Sequence, residues 1–251
     1  MNIVTWNVNS LTARWDRVSN FLSTRDVDIL LIQETKQNDA KFPTAGFAEL
    51  GYETYHVGQG QWNGVAIASR VGLERVSGSL GLPDEEARYV AARCGGITVI
   101  SVYVPNGRSL DNPHYVYKLD WLEHLARDAA TRVADDVVIA GDFNVAPTDL
   151  DVYDPADFVD ATHVSDAERR AVSALADIGY VDAQRQVDAT SPAFTWWDYR
   201  QGAYRRNRGL RIDLLWCSPS LAPRIDAVWV DREEREEEKP SDHAPVALRL
   251  N

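Results

Sequence analysis

Six stretches of the chain place polar, metal-capable side chains at the edges of apolar runs. Asn7 and Asn9 close Ile3–Trp6, Glu34 follows Ile29–Gln33, and Asn106 lies just beyond Ile97–Tyr103. Asp142 and Asn144 follow Val137–Gly141, Asp213 opens Asp213–Cys217, and Asp242 with His243 precedes Pro245–Leu250. Carboxylates, amides and one imidazole thus gather at the ends of extended segments, where a sheet rim can hold them rigidly. Hard oxygen donors without a Cys/His ligand set favour Mg²⁺ or Mn²⁺ over zinc, and Mg²⁺ commonly takes one or two carboxylates plus substrate phosphate. Phosphodiester hydrolysis needs a positioned water, neutralised charge on phosphorus and a protonated leaving oxygen. Two carboxylates, a metal and a His–Asp pair supply all three. Taken singly, Asn7, Asn106 and Asp142 also have a plain reading as turn or loop residues. Asp213 does not: between Ile212 and Leu214-Leu215 an acid is costly unless paired, and His243 is the natural partner.

The elements that must position these residues are legible from periodicity. Ile3–Trp6, Ile29–Gln33, Tyr52–Val57, Val65–Ser69, Tyr89–Arg93, Ile97–Tyr103, Val137–Gly141, Asp213–Cys217 and Pro245–Leu250 read as strands. Several are continuous apolar runs, which suits strands covered on both faces, whereas Tyr52–Val57 alternates. Ser10 caps a helix with Leu11, Trp15, Val18 and Leu22 on one face. Asn112-Pro113 caps a second carrying Leu122, Leu125 and Ala129, and Ser165 with Glu168 forms a capping box for a third that Gly179 stops. This mixture predicts an α/β fold: a four-layered α/β sandwich, two packed mixed β-sheets with helices on the outside, residues 1–251 forming one domain. Asp231–Lys239, with six acids and three bases, reads as a solvated loop.

The segments Trp6-Asn7-Val8-Asn9-Ser10, Gln33-Glu34-Thr35-Lys36, Tyr103-Val104-Pro105-Asn106-Gly107, Gly141-Asp142-Phe143-Asn144, Asn207-Arg208-Gly209-Leu210-Arg211-Ile212-Asp213 and Lys239-Pro240-Ser241-Asp242-His243-Ala244-Pro245 resemble, in order, the signature blocks of the exonuclease III family of abasic-site endonucleases. Gln-Glu-Thr or Ser-Asp-His alone is shared across the wider endonuclease/exonuclease/phosphatase superfamily; the ordered set, spanning the whole chain, is specific. The resemblance implies a Mg²⁺-dependent (Mn²⁺-tolerant) DNA phosphodiesterase that cleaves 5′ to abasic sites, with 3′→5′ exonuclease and 3′-phosphatase activity. It further implies Glu34 as principal metal ligand, with Asn7, Asn9 and Asp242 around the metal or its waters. Asp142 would handle a proton, Asn144 and His243 would hold the scissile phosphate, and Asp213 would keep His243 cationic. Tyr103, Asn106 and Lys36 would stabilise the phosphate.

Trp196-Trp197 precede a stretch, Tyr199–Arg211, with five arginines and no acid. In the resembling family an aromatic at the position of Trp196 lines the abasic-sugar pocket, so the resemblance implies that role for Trp196; Trp197 is expected to pack, and Arg205 and Arg206 are expected on the DNA backbone. The alternative is a solvated loop, with Arg208 and Arg211 structural. Trp121 and Trp229 read as packing residues, and His56, His114, His124 and His163 as surface residues without function.

The 251 residues carry a net charge of −12, which excludes gripping nucleic acid by bulk positive charge and leaves a local basic patch. Acids concentrate elsewhere: Asp149–Glu168 holds seven and no Lys or Arg. Two cysteines, Cys94 and Cys217, in apolar contexts read as buried free thiols. The opening residues lack a secretion signal and no run is long enough to span a bilayer, so a cytoplasmic, monomeric enzyme acting on double-stranded DNA with abasic sites or blocked 3′ ends, away from membranes, is expected. Two rivals differ in class: a relative acting on phosphoinositide, sphingomyelin or nucleotide phosphates, and a DNA-binding protein that lost turnover. The arginine stretch argues against the first, the intact set of acids and imidazole against the second.

Overall fold

The computed structural model describes residues 1–83, 85–236 and 238–251. Its strands build two six-stranded sheets. The first is ordered β11 (Ile225–Val230), β12 (Val246–Leu250), β1 (Asn2–Asn7), β2 (Ile29–Gln33), β4 (Val65–Ser69) and β3 (Glu53–Val57). The second is ordered β5 (Glu74–Ser77), β6 (Tyr89–Cys94), β7 (Ile97–Tyr103), β8 (Val137–Asp142), β10 (Asp213–Cys217) and β9 (Val181–Asp182). Each sheet is mixed in the same way: β1–β2 and β7–β8 are parallel, and their other neighbours antiparallel.

Alternation along each strand explains the four layers. Ile3, Leu31, Ile67, Val90, Val99, Val138, Ala140 and Leu215 meet between the sheets. Val4, Trp6, Leu30 and Ile32 point the other way, onto α1 (Leu11–Thr24) and α2 (Thr44–Glu49) through Val18, Phe21, Leu22 and Phe47. On the opposite outer face Ile100, Val102, Ile139 and Leu214 receive α3 (Pro113–Arg132) and α4 (Asp166–Ile178) through Trp121, Leu125, Val172 and Leu175. Central strands are therefore apolar on both faces. The anticipated caps are present: Ser10, Asn112 and Ser165 accept from backbone N–H groups, Ser165 and Glu168 form a capping box, and Gly179 ends α4 at φ 119°. Cys94 and Cys217 are buried and free.

Several expectations are corrected. β5, β9, β11, α2 and α5 (Ala183–Val187), all short or at sheet margins, have no counterpart among the elements expected from periodicity. Trp229, expected to pack, lies on the edge strand β11 and is 40% exposed. His56, expected on a surface, has its ring stacked on Phe42 at 4.2 Å and bonded to Thr35 Oγ1 at 2.8 Å. Within Asp231–Lys239, expected as a solvated loop, Glu234 and Arg235 are buried: Glu234 pairs with Arg17, and Arg235 reaches the Ser241 carbonyl. Glu237 of that stretch lies outside the described residues.

Candidate active site

All the elements that carry candidate residues meet at one rim. The parallel pairs end there, placing Asn7 beside Gln33 and Tyr103 beside Asp142, while β10 and β12, running antiparallel, begin there. Directly below, the buried Gln33 amide donates to Thr5 Oγ1 (3.0 Å) and to Ser101 Oγ (2.9 Å) of the other sheet, locking the two rims together.

Asn7 sits at the centre. Its Nδ2 donates to Glu34 Oε1 at 2.8 Å and to Asp142 Oδ2 at 2.9 Å, and its Oδ1 accepts the Asn9 N–H at 3.0 Å. One buried amide therefore fixes both carboxylates. Glu34 and Lys36 both hold positive φ, 54° and 52°, in a turn tied to Gly64 and Asn63 by backbone hydrogen bonds. Lys36 Nζ lies 2.9 Å from Glu34 Oε2 and 2.6 Å from Asn9 Oδ1. Asn9 Nδ2 and Trp196 Nε1 each donate to Asp242 at 3.0 Å. His243 and these contacts hold the Asp242 carboxyl below its ordinary pKa even though burial pushes it up.

His243 Nδ1 is 2.9 Å from Asp213 Oδ2, and its Nε2 is 3.7 Å from Asp142 Oδ2. Burial alone would lower the imidazole, but Asp213 and then Asp142 more than offset it, raising its pKa to about 10. Burial raises Asp142 to about 7; Asp213 and Glu34 add to this while His243 opposes it. Burial, followed by the Glu34 and Asp142 charges, raises the Tyr103 phenol well above its usual range, keeping it a donor. Beside them Asn144, at φ 51°, donates through its backbone N–H to Asp142 Oδ1 (2.9 Å) and through Nδ2 to the Val104 carbonyl (3.0 Å). Its Oδ1 meets Asn106 Nδ2 at 3.2 Å.

Ligand atoms of Glu34, Asp142 and His243 lie within 4.8 Å of one another. A cationic imidazole repels a second cation, so the donors that fit a metal here are carboxylate oxygens, the set a hard divalent ion prefers.

The Endonuclease/Exonuclease/phosphatase family matches residues 4–243. The chain belongs to that family. An exodeoxyribonuclease of Bacillus subtilis is 32% identical across all of both chains. A 3′ phosphatase from Neisseria, solved bound to a product DNA hairpin, superposes with a TM-score of 0.98 at 41% identity, covering 100% of this chain and 99% of that one. An AP endonuclease from Archaeoglobus fulgidus superposes at 0.97 with 38% identity over 100% and 99%.

As a member of the endonuclease/exonuclease/phosphatase family, the chain brings Asn7, Asn9, Glu34, Lys36, Tyr103, Asn106, Asp142, Asn144, Trp196, Asp213, Asp242 and His243 to one rim. Arg205 and Arg206 are not among them: both are exposed, on the segment beyond the 200–202 turn. Trp196 lines a cavity of about 370 Å³ with Tyr153, Phe158 and Arg208. Trp197 is fully buried, edge-on to Tyr204 at 5.1 Å. Arg211 is buried too, bonded to Asp151 (2.6 Å) and Asp182 (2.8 Å), so it leaves the basic stretch and neutralises part of the acidic one.

One residue that the sequence does not single out lies against the cluster. His163, expected to be idle, holds φ 80° and places Nε2 3.2 Å from both Asn144 Oδ1 and Asn106 Nδ2. Burial and then the Lys118 charge lower its pKa to about 4, so the ring is neutral. A lone histidine in an acidic loop gives no signal of this.

Proposed function

We propose that this chain is a DNA phosphodiesterase of exonuclease III type: it cleaves 5′ to abasic sites and trims or dephosphorylates 3′ ends from one centre. The supporting observation is the Asn7 bridge, which holds Glu34 and Asp142 together while Asp213–His243 faces Asp142 at 3.7 Å. The three relatives named above carry between them the titles exodeoxyribonuclease, 3′ phosphatase and AP endonuclease, one for each activity.

In this reading Glu34, with Asp242, Asn9 and Asn7 behind it, would hold Mg²⁺, replaceable by Mn²⁺. The bound ion supplies Lewis-acid neutralisation of the phosphate charge. His243, kept cationic by Asp213, and the amides of Asn106 and Asn144 bind the non-bridging oxygens. Tyr103 and Lys36 add donors on the other side. Asp142, its pKa near 7, is poised to take the proton of the attacking water. Trp196 bounds the space for the abasic sugar, and Arg205 and Arg206 contact the flanking backbone. Among the described residues no helix is long and apolar enough to cross a membrane. We further propose a cytoplasmic monomer acting on double-stranded DNA with abasic sites or blocked 3′ ends.

The test is incubation of the purified protein with an abasic-site duplex, with and without chelator, mapping the broken bond. Mg²⁺-dependent cleavage 5′ to the lesion is expected. Cleavage of lipid head-group phosphates but not DNA, or DNA binding without cleavage once Mg²⁺ is added, would overturn the reading.

A further inference from the structure

Beneath the amide side of the centre lie two charged side chains with no solvent exposure. Lys118, from α3, places its ammonium 2.5 Å from Glu168 of α4, and both side chains are 0% exposed. The same ammonium donates to the Asn144 carbonyl at 2.7 Å and to the Asn106 carbonyl at 3.2 Å. Glu168 Oε1 accepts from the Thr162 hydroxyl (2.7 Å) and the His163 N–H (3.0 Å). The turn after Asn106 rests on this hub: Gly107 has φ +88°, and a Cβ there would stand 2.8 Å from Thr162 Oγ1 and 3.2 Å from Lys118 Cδ.

A buried ion pair contributes little net stability, and apolar residues of similar volume commonly replace one without loss. Apolar residues could not tether two carbonyls and an N–H from three loops to one point. We propose that Lys118 and Glu168 are positioning residues, whose buried pair fixes Asn106, Asn144 and His163 in the arrangement that grips the scissile phosphate. The inference rests on the proposed function. Neither residue touches substrate. A displacement of about 1 Å in a phosphate-gripping group can lower turnover about 10²-fold, so the tether matters more to rate than to folding.

The decisive variant is Lys118→Met/Glu168→Leu, which removes both charges together. It is expected to fold with a lowered melting temperature, because the Asn106 and Asn144 carbonyls, the Thr162 hydroxyl and the His163 N–H lose their buried partners, and to bind abasic duplex in chelator with Kd within about threefold, while kcat falls roughly 10²-fold. A folded double variant with kcat within about threefold of wild type would overturn the proposal. If the apolar pair does not fold, Glu168→Gln, which keeps shape and one acceptor, carries the same comparison. A cycle adds a readout that a purely structural role would not move: on an Asn144→Ala background, Lys118→Met should cost less than it does in the wild type, because part of its effect runs through Asn144 and the rest through Asn106 and His163. Full additivity would also overturn the proposal. Failure of the wild-type protein to cleave would instead sink the proposed function.

Discussion

The Asp142 carboxyl shares its surroundings with Glu34, Asp213 and His243, and its protonation sets what the centre can do. Asp142→Asn keeps the shape and, through its one amide oxygen, the Asn7 contact, but gives up the acceptor for the Asn144 N–H and cannot accept a proton. DNA affinity should stay close to wild type while kcat falls roughly 10²–10⁴-fold; unchanged turnover would remove Asp142 from the chemistry. Asp213→Asn acts one step away. Burial then pulls the His243 pKa down with less carboxylate charge to oppose it, so the cation is lost at lower pH. The alkaline limb of the kcat/KM profile should therefore move down from near pH 10, and a profile identical to wild type would show that His243 does not act as a cation. At this scale the sequence was informative where chemistry is uncommon. Asp213 between Ile212 and Leu214 demanded a partner, and His243 is 2.9 Å away. It was uninformative for His163, whose approach to Asn144 depends on a left-handed backbone no pattern announces. Lys118 did leave a trace: with Trp121, Leu122 and Leu125 it occupies the buried face of α3, where a lysine must find a partner.

Strands were readable in proportion to their burial. β1, β2, β4, β7, β8 and β10 are dense apolar runs because both faces are covered, and the ends of all of these but β4 carry site residues. Margins were not: β11 pairs only with β12 and leaves Trp229 partly in water, so it gives no continuous signal, and β9 has only two residues. The junction of β8 with the site hinges on Gly141. Its φ is +152°, and a Cβ there would lie 1.9 Å from the Val102 carbonyl oxygen on β7. Backbone on a central strand cannot step aside, and Asp142 is the next residue. Gly141→Ala should cost about 3 kcal/mol or more in urea unfolding, and lower kcat in whatever fraction remains folded. A variant with wild-type stability and turnover would mean that the β7–β8 contact yields more easily than a packed sheet should.

Over the whole molecule, a net charge of −12 coexists with a proposed DNA surface because the charge is unevenly spread: internal ion pairs remove acids and bases alike and leave the total unchanged, whereas Tyr199–Arg211 holds five arginines and no acid. Of the acidic stretch Asp149–Glu168, Asp151 is buried against Arg211 and Arg185, and Glu168 against Lys118. Arg205 and Arg206, in contrast, are exposed. Reversing both, Arg205→Glu/Arg206→Glu, should weaken DNA binding and reduce the slope of log K against log salt by about 1–2; an unaltered slope would turn that loop away from DNA. The internal ion pairs govern acid stability. Burial pushes Asp151 up, but Arg211 and Arg185 hold its folded pKa below the ordinary 3.8. A carboxyl depressed on folding contributes stability that is present above its unfolded pKa, about 3.9, and lost as pH falls through the folded value. Wild-type unfolding free energy should therefore drop steeply below about pH 4. Asp151→Asn leaves buried Arg211 with Asp182 alone, so it should cost about 3–5 kcal/mol at pH 7 yet flatten the acid limb. Equal acid limbs in urea titrations of the two proteins would show that Asp151 is protonated with the same ease folded or unfolded, and that the arginines around it do not hold its charge.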